Sequence, residues 1–160
     1  MSARGRIVVI AVGNPFRRDD GVGHHIVAEA HDRLPPGVEI AAADGEPARL
    51  VERWAGADLA VVVDAVDGGG APGTVHVLDG LVAALGGRDR PGSSHSLGVG
   101  DAVRLGRAVG RLPRALVCVG VTGAAWDHGE ELSPAVAAAV PEAADRVVAI
   151  ARALAPAGAG

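Results

Sequence analysis

Two adjacent carboxylates, Asp19 and Asp20, stand at the end of a turn, Gly13-Asn14-Pro15-Phe16-Arg17-Arg18, that follows an apolar strand at residues 7–12. Gly21-Val22-Gly23 then opens a helix. A turn built this way sets carboxylates at the mouth of an α/β sheet, where they repel phosphate and attract a cation. A dinucleotide loop would read Gly-x-Gly-x-x-Gly, with bare backbone N–H groups toward the pyrophosphate. Bulky and acidic side chains fill those positions here.

Other chemistry-bearing residues fall where ligands bind in open α/β sheets, beyond the carboxyl ends of the strands. Asp44 follows the second strand, Asp64 ends the apolar run at 59–63, and His95 closes a polar loop that could fold over the same edge. Oxygen donors with one imidazole and no thiolate suit a borderline divalent ion such as zinc or nickel, whereas an all-oxygen shell suits magnesium. Each residue also has an ordinary role available. Asp20 can cap a helix, Asp64 can begin a turn over residues 65–70, and His95 can be a surface histidine. Only the three together are unusual, and Asp19 reads as the solvated or capping member of its pair. His24, His25, His31, His76 and His128 read as structural or surface residues. Ser94-His95 lacks the Gly-x-Ser-x-Gly elbow of a serine hydrolase, and Cys118, within an apolar strand, reads as a small buried hydrophobe.

The elements that must position these groups alternate. Helical periodicity over residues 21–34 stops at Pro35-Pro36, residues 38–43 form a second strand, 47–54 a helix and 59–63 a third strand. This βαβαβ order predicts parallel strands joined by right-handed crossovers, with helices on both faces. The next strand, 73–78, follows Asp64 too closely for a parallel crossover, which takes about a dozen residues or more, so it runs antiparallel to the third. A short helix at 78–85, a helix at 97–109 after His95, a strand at 115–121 and a helix at 134–154 complete the order. Ser133 is the expected N-cap of the last helix and Pro134 its first residue. The fold class is α/β: one three-layer α/β/α domain over residues 1–160, with a mixed, mostly parallel twisted sheet of about five strands. Its ordered core is expected over about 6–154.

Composition narrows the function. The 160 residues are 49% apolar and 21% charged, with net charge −4, one Phe, two Trp and no Tyr. That leaves neither the basic stripe nor the stacking platforms of a nucleic-acid binder. No apolar run reaches the ~20 residues that span a bilayer, and no signal peptide precedes the first strand, so a cytoplasmic protein without a membrane role is expected. With Cys118 as the only cysteine there is no intrachain disulfide.

The order Gly13-Asn14, Asp19-Asp20-Gly21-x-Gly23, Val63-Asp64-Ala65, Pro72-Gly73-Thr74, Ser94-His95-x-Leu97-Gly98, Val119-Gly120-Val121 and Leu132-Ser133-Pro134-Ala135-Val136 resembles the hydrogenase maturation proteases. The resemblance is collinear over residues 7–148. It implies one mixed, mostly parallel sheet between helices. It implies an endopeptidase that removes a C-terminal extension from the large-subunit precursor of a nickel–iron hydrogenase after nickel insertion. By motif match, the family's three metal-contacting positions fall on Asp20, Asp64 and His95, which are thereby the catalytic and metal residues. The nickel is supplied by the precursor, a transient partner of a monomeric protease, and no organic cofactor is implied. The family's Asp-Gly-Gly is only partly present, since Asp44-Gly45 is followed by Glu46, so Asp44 is a possible substrate contact. Two other readings fit the same residues: a metal-dependent hydrolase with another substrate, and a non-catalytic nickel-binding accessory protein.

Overall fold

A computed structural model describes residues 5–82 and 99–154. Its first strand, β1 (Ile7–Val12), is β-branched apart from Ala11 and buried along its whole length, as a strand covered on both faces requires. Strands β2 (Glu39–Ala43) and β3 (Leu59–Val66) pair with it in parallel on either side. Strand β5 (Ala115–Thr122) adds in parallel to β3, and β4 (Val75–Asp79) closes the far edge, antiparallel to β5. The order β2-β1-β3-β5-β4 is a mixed, mostly parallel α/β sheet, as expected. The chain leaves β1 toward β2 and then crosses back to β3, so the strand order reverses between β1 and β3. In an open sheet that reversal leaves a crevice at the strands' carboxyl ends.

Alternate residues of the central strands feed two cores. Val9, Val61, Val63 and Val119 pack against α1 (Val22–Ala30) and α4 (Pro134–Leu154). Val8, Ile10, Val62 and Leu116 pack against α2 (Pro47–Trp54) and α3 (Val99–Val109). Each fully buried Val or Ile contributes about 1.5–3 kcal/mol, so the two layers hold the ends of β1 and β3 in fixed relation. Among the described residues no helix is long and apolar enough to cross a membrane.

Several boundaries differ from expectation for local reasons. Helix α1 stops at Ala30 and a 3-10 turn, His31–Arg33, follows. Leu34 is extended because Pro35 excludes the helical conformation before it. Strand β3 does not end at Asp64: its ladder with β5 runs on to Val66 opposite Thr122, which leaves Asp64 inside the strand, opposite Gly120. The break comes instead at Gly68, Gly69 and Gly70, all with positive φ. Strand β4 extends through Asp79, whose carboxylate accepts the N–H groups of Leu81 and Val82, each at 3.0 Å. Helical geometry therefore starts at residue 80 rather than 78. The remainder of the helix expected to 85, and the start of the one expected at 97, lie outside the described residues. Ser133 precedes α4 and its carbonyl accepts the Ala137 N–H at 2.8 Å. Its hydroxyl, however, donates to Asp19 rather than capping the helix.

Candidate active site

The crevice between β1 and β3 is built from backbone too close for side chains. Gly13, directly after β1, has φ +122°, and a Cβ there would lie 2.0 Å from the Asp20 carbonyl oxygen. The chain loops out through residues 14–17 and returns as a 3-10 turn, Arg18–Gly21. Gly21 meets Pro15 so closely that a Cβ would lie 2.7 Å from the Pro15 Cα. At Gly23 a Cβ would be 2.4 Å from the Val63 carbonyl and 3.0 Å from that of Val12. Glycines in Asp-Asp-Gly-x-Gly thus let α1 start directly on the ends of β1 and β3, bringing the loop acids over the sheet.

The two acids take opposite roles. Asp19, expected to be solvated or capping, is fully buried. Its Oδ2 accepts the N–H groups of Ala124 and Ala125 at 2.7 and 2.8 Å and the Ser133 hydroxyl at 2.7 Å, and its Oδ1 accepts the Ser133 N–H at 2.7 Å. Burial alone would raise its pKa, but the bonds from Ser133, Ala124 and Ala125 outweigh it and hold the carboxyl below its ordinary value. Asp19 is the tether that fixes the loop to the segment between β5 and α4, a role the sequence reading missed. Nothing local to residues 13–23 signals it, since its partners lie over 100 positions away in the chain.

Asp20 is half-buried and is not a helix cap: the N-cap of α1 is Gly21, with no side-chain cap bond. Its Oδ2 accepts the Asn14 N–H at 2.8 Å, which orients the carboxylate. Asp64 does not begin a turn. It is buried within β3, and its Oδ1 accepts the Ala65 N–H at 2.7 Å. Burial raises its pKa well above the ordinary value, and the nearby Asp20 charge raises it further, against the lowering effect of the Ala65 N–H. The structure therefore brings Asp20 and Asp64 together, and among the described residues no ion pair engages either. His95 lies outside the described residues. Among those described, no three His, Cys, Asp or Glu side chains form a group able to hold a metal. Asp20 and Asp64 offer two oxygen donors, which suits a divalent ion with positions left open for other ligands.

Asp44 is exposed beyond the end of β2, its Oδ1 accepting the Glu46 N–H at 3.1 Å. With Gly13, His24, Ala42, Ala43 and Arg49 it lines a shallow cleft of about 250 Å³. His24 is structural, as expected, with Nε2 2.9 Å from the Gly13 carbonyl oxygen. His76 meets the Thr122 hydroxyl at 2.8 Å, and His25, His31 and His128 are exposed. Cys118 is buried, its thiol pushed up to about 12 by burial first and then by the charges of Asp64 and Asp79. It is an inert core residue, as its place in the strand implied.

Comparison with known proteins gives a consistent set of relatives. The family model described as hydrogenase maturation protease matches residues 25–150, a span that includes Asp64 and His95 and begins after Asp20. The hydrogenase 2 maturation protease of Escherichia coli (strain K12) is 34% identical over 151 residues, covering 92% of this chain and 91% of that protein. The hydrogenase expression/formation protein HupM of Azotobacter chroococcum mcd 1 is 34% identical over 154 residues, covering 89% of this chain and 73% of HupM. The solved structure of the hydrogenase maturating endopeptidase HybD from E. coli superposes with a TM-score of 0.78 at 30% identity, over 92% of this chain and 93% of that one.

Proposed function

Because this chain belongs to the hydrogenase maturation protease family and is accordingly a peptidase, we propose that it removes a C-terminal extension from the large-subunit precursor of a nickel–iron hydrogenase once nickel has been inserted. The observation that carries this reading is the carboxylate pair at the strand-order reversal. Asp20 is held by the Asn14 N–H, and Asp64 is buried beside it with a raised pKa. Two neighbouring carboxylates repel each other, and a divalent cation relieves that repulsion.

In this proposal Asp20, Asp64 and His95 complete the shell of the nickel ion that the precursor already carries. A ligating carboxylate must be ionised, so a nickel ion held there would offset the burial that raises the Asp64 pKa. A nickel-free precursor offers no such gain, so engagement itself checks that the metal is in place. Asp20, Asp64 and His95 would hold the ion through few enough ligands to leave positions open, and the chemistry it would supply there is polarisation of the scissile carbonyl. Water then adds its hydroxyl to the carbonyl carbon and its proton to the departing amine. Asp44, at the edge of its cleft, contacts the substrate chain. The protein works as a monomer in the cytoplasm, engages its client transiently and uses no organic cofactor.

The test is the intact mass of a nickel-loaded precursor before and after incubation with the protein, with a nickel-free precursor alongside. Loss of a C-terminal segment in the loaded sample alone is the expected result. Cleavage of both would remove nickel as the recognition signal. No cleavage of either would overturn the proposal.

A further inference from the structure

The loop that carries Asp20 also carries an aromatic ring in solvent. Phe16 is the only phenylalanine of the chain and is 62% exposed. Of the two tryptophans, Trp54 is fully buried and Trp126 packs against the core on the α1 and α4 side. A single exposed apolar side chain is ordinary on a protein surface. Phe16 is set apart by how firmly its backbone is held and by what holds it.

The Phe16 N–H donates to the Asn14 side-chain oxygen at 2.9 Å, and the Asn14 N–H donates to Asp20 Oδ2 at 2.8 Å. On its other side the Phe16 carbonyl accepts the Gly129 N–H at 2.8 Å, while the Gly129 carbonyl accepts the Arg18 N–H at 2.8 Å. Arg18 itself is left-handed, with φ +47°, a conformation that a residue with a side chain keeps only where its surroundings enforce it. Here the enforcing contacts include its Nε donating to the Glu131 carbonyl at 3.2 Å and its ion pair with Asp127. The backbone that carries the ring is thus held two hydrogen bonds from the Asp20 carboxylate, on a loop with little freedom left to lose.

An aromatic on a preordered backbone gives a large contact area at low entropic cost, and such residues dominate binding energies at protein interfaces. A macromolecule that brings its reacting segment to Asp20 meets the same short loop that carries this exposed ring. We infer that Phe16 is a docking residue, whose ring enters an apolar recess on the metal-loaded precursor as Asp20 engages the ion. This rests on the function proposed above and adds to it a determinant of client choice outside the carboxylate pair. Because the ring touches the client away from the reacting atoms, it contributes equally to ground-state and transition-state binding, and so sets KM rather than kcat.

The test is steady-state processing of the nickel-loaded precursor by the wild type, Phe16→Ala and Phe16→Leu, with the melting temperature of each. Phe16→Ala should raise KM by roughly 30-fold, the scale of a truncated hot-spot aromatic, at unchanged kcat. Phe16→Leu should recover most of the loss, and all three proteins should melt together because the ring is mostly exposed in the free enzyme. An unchanged KM in Phe16→Ala, a loss confined to kcat, or a lowered melting temperature would overturn the inference while leaving the proposed function in place. Failure of the wild type to process the precursor would overturn both.

Discussion

Replacing each of the two neighbouring acids by asparagine should have opposite consequences. In Asp19→Asn the side chain keeps its shape but exchanges one carboxylate oxygen for an NH2 group. With the amide oxygen at the Oδ2 position it still accepts from Ala124, Ala125 and the Ser133 hydroxyl, and the NH2 then faces the Ser133 N–H, donor against donor. One buried donor loses its acceptor, and the remaining bonds lose their ionic character, for a cost of about 2–3 kcal/mol. Asp19→Ala strands every one of these donors and should cost about 4–6 kcal/mol, with water in the cavity offsetting part of the loss. Against a total stability of about 5–15 kcal/mol this approaches unfolding. Among the described residues Asp20 accepts a single N–H from a half-buried position, so Asp20→Asn should change stability by less than about 1 kcal/mol while abolishing precursor cleavage.

Urea unfolding at pH 7 separates the cases, since a shift in midpoint at constant slope reports stability alone. The pH dependence supplies a second check. The folded pKa of Asp19 is lowered, so the stability it contributes is present in full above the unfolded value of about 3.9 and is lost as pH falls through the lower folded value. The gap between wild type and Asp19→Asn should therefore be constant from pH 7 to about pH 5 and shrink below about pH 4. Unfolding midpoints of wild type and Asp19→Asn that coincide at pH 7 would refute the tether.

Asp64 should behave in the reverse sense. Its folded pKa is raised, so its ionisation penalty is absent below the unfolded value and complete only above the folded one, and the metal-free protein loses stability as pH rises through that window. Asp64→Asn keeps an acceptor for the Ala65 N–H and should be more stable than wild type at pH 8 yet inactive, with the stability gain vanishing in acid; equal unfolding midpoints at pH 8 would refute this. Gly23→Ala should lower stability by about 1–3 kcal/mol and reduce cleavage, because its Cβ would press on the Val63 and Val12 carbonyls. A melting temperature equal to that of the wild type would show that α1 can shift without disturbing the site.

Where local signals sufficed, the chain was readable as it stood. The bounds of β1, α2 and α4 follow from apolar periodicity ended by Gly13, by the flanking residues of α2 and by Pro134 at the helix start. The antiparallel direction of β4 followed from the length of its connection alone, although its neighbour in the sheet, β5, did not. The pairing of Asp20 with Asp64 was legible because each sits at a place the α/β topology brings to one edge. Position along β3 was not: the sequence stops being purely apolar at Asp64, but the ladder to β5 carries the strand on to Val66.

The division of labour between Asp19 and Asp20 shows the limit most clearly. Both residues have the same chemistry, and a 3-10 turn of four residues, Arg18–Gly21, points them in different directions. Which one is buried is decided by three backbone N–H groups and one hydroxyl from residues 124, 125 and 133. Among the described residues those donors bond no other acceptor, and a carboxylate is the one side chain that can take all of them at once. The burial of Asp19 is therefore a property of the loop between β5 and α4 as much as of the loop that carries it. The Ser133 hydroxyl follows the same logic, leaving the helix it precedes in order to complete that carboxylate. Asp20, with none of those four donors, keeps its carboxylate at the strand ends, held by the Asn14 N–H alone among the described residues.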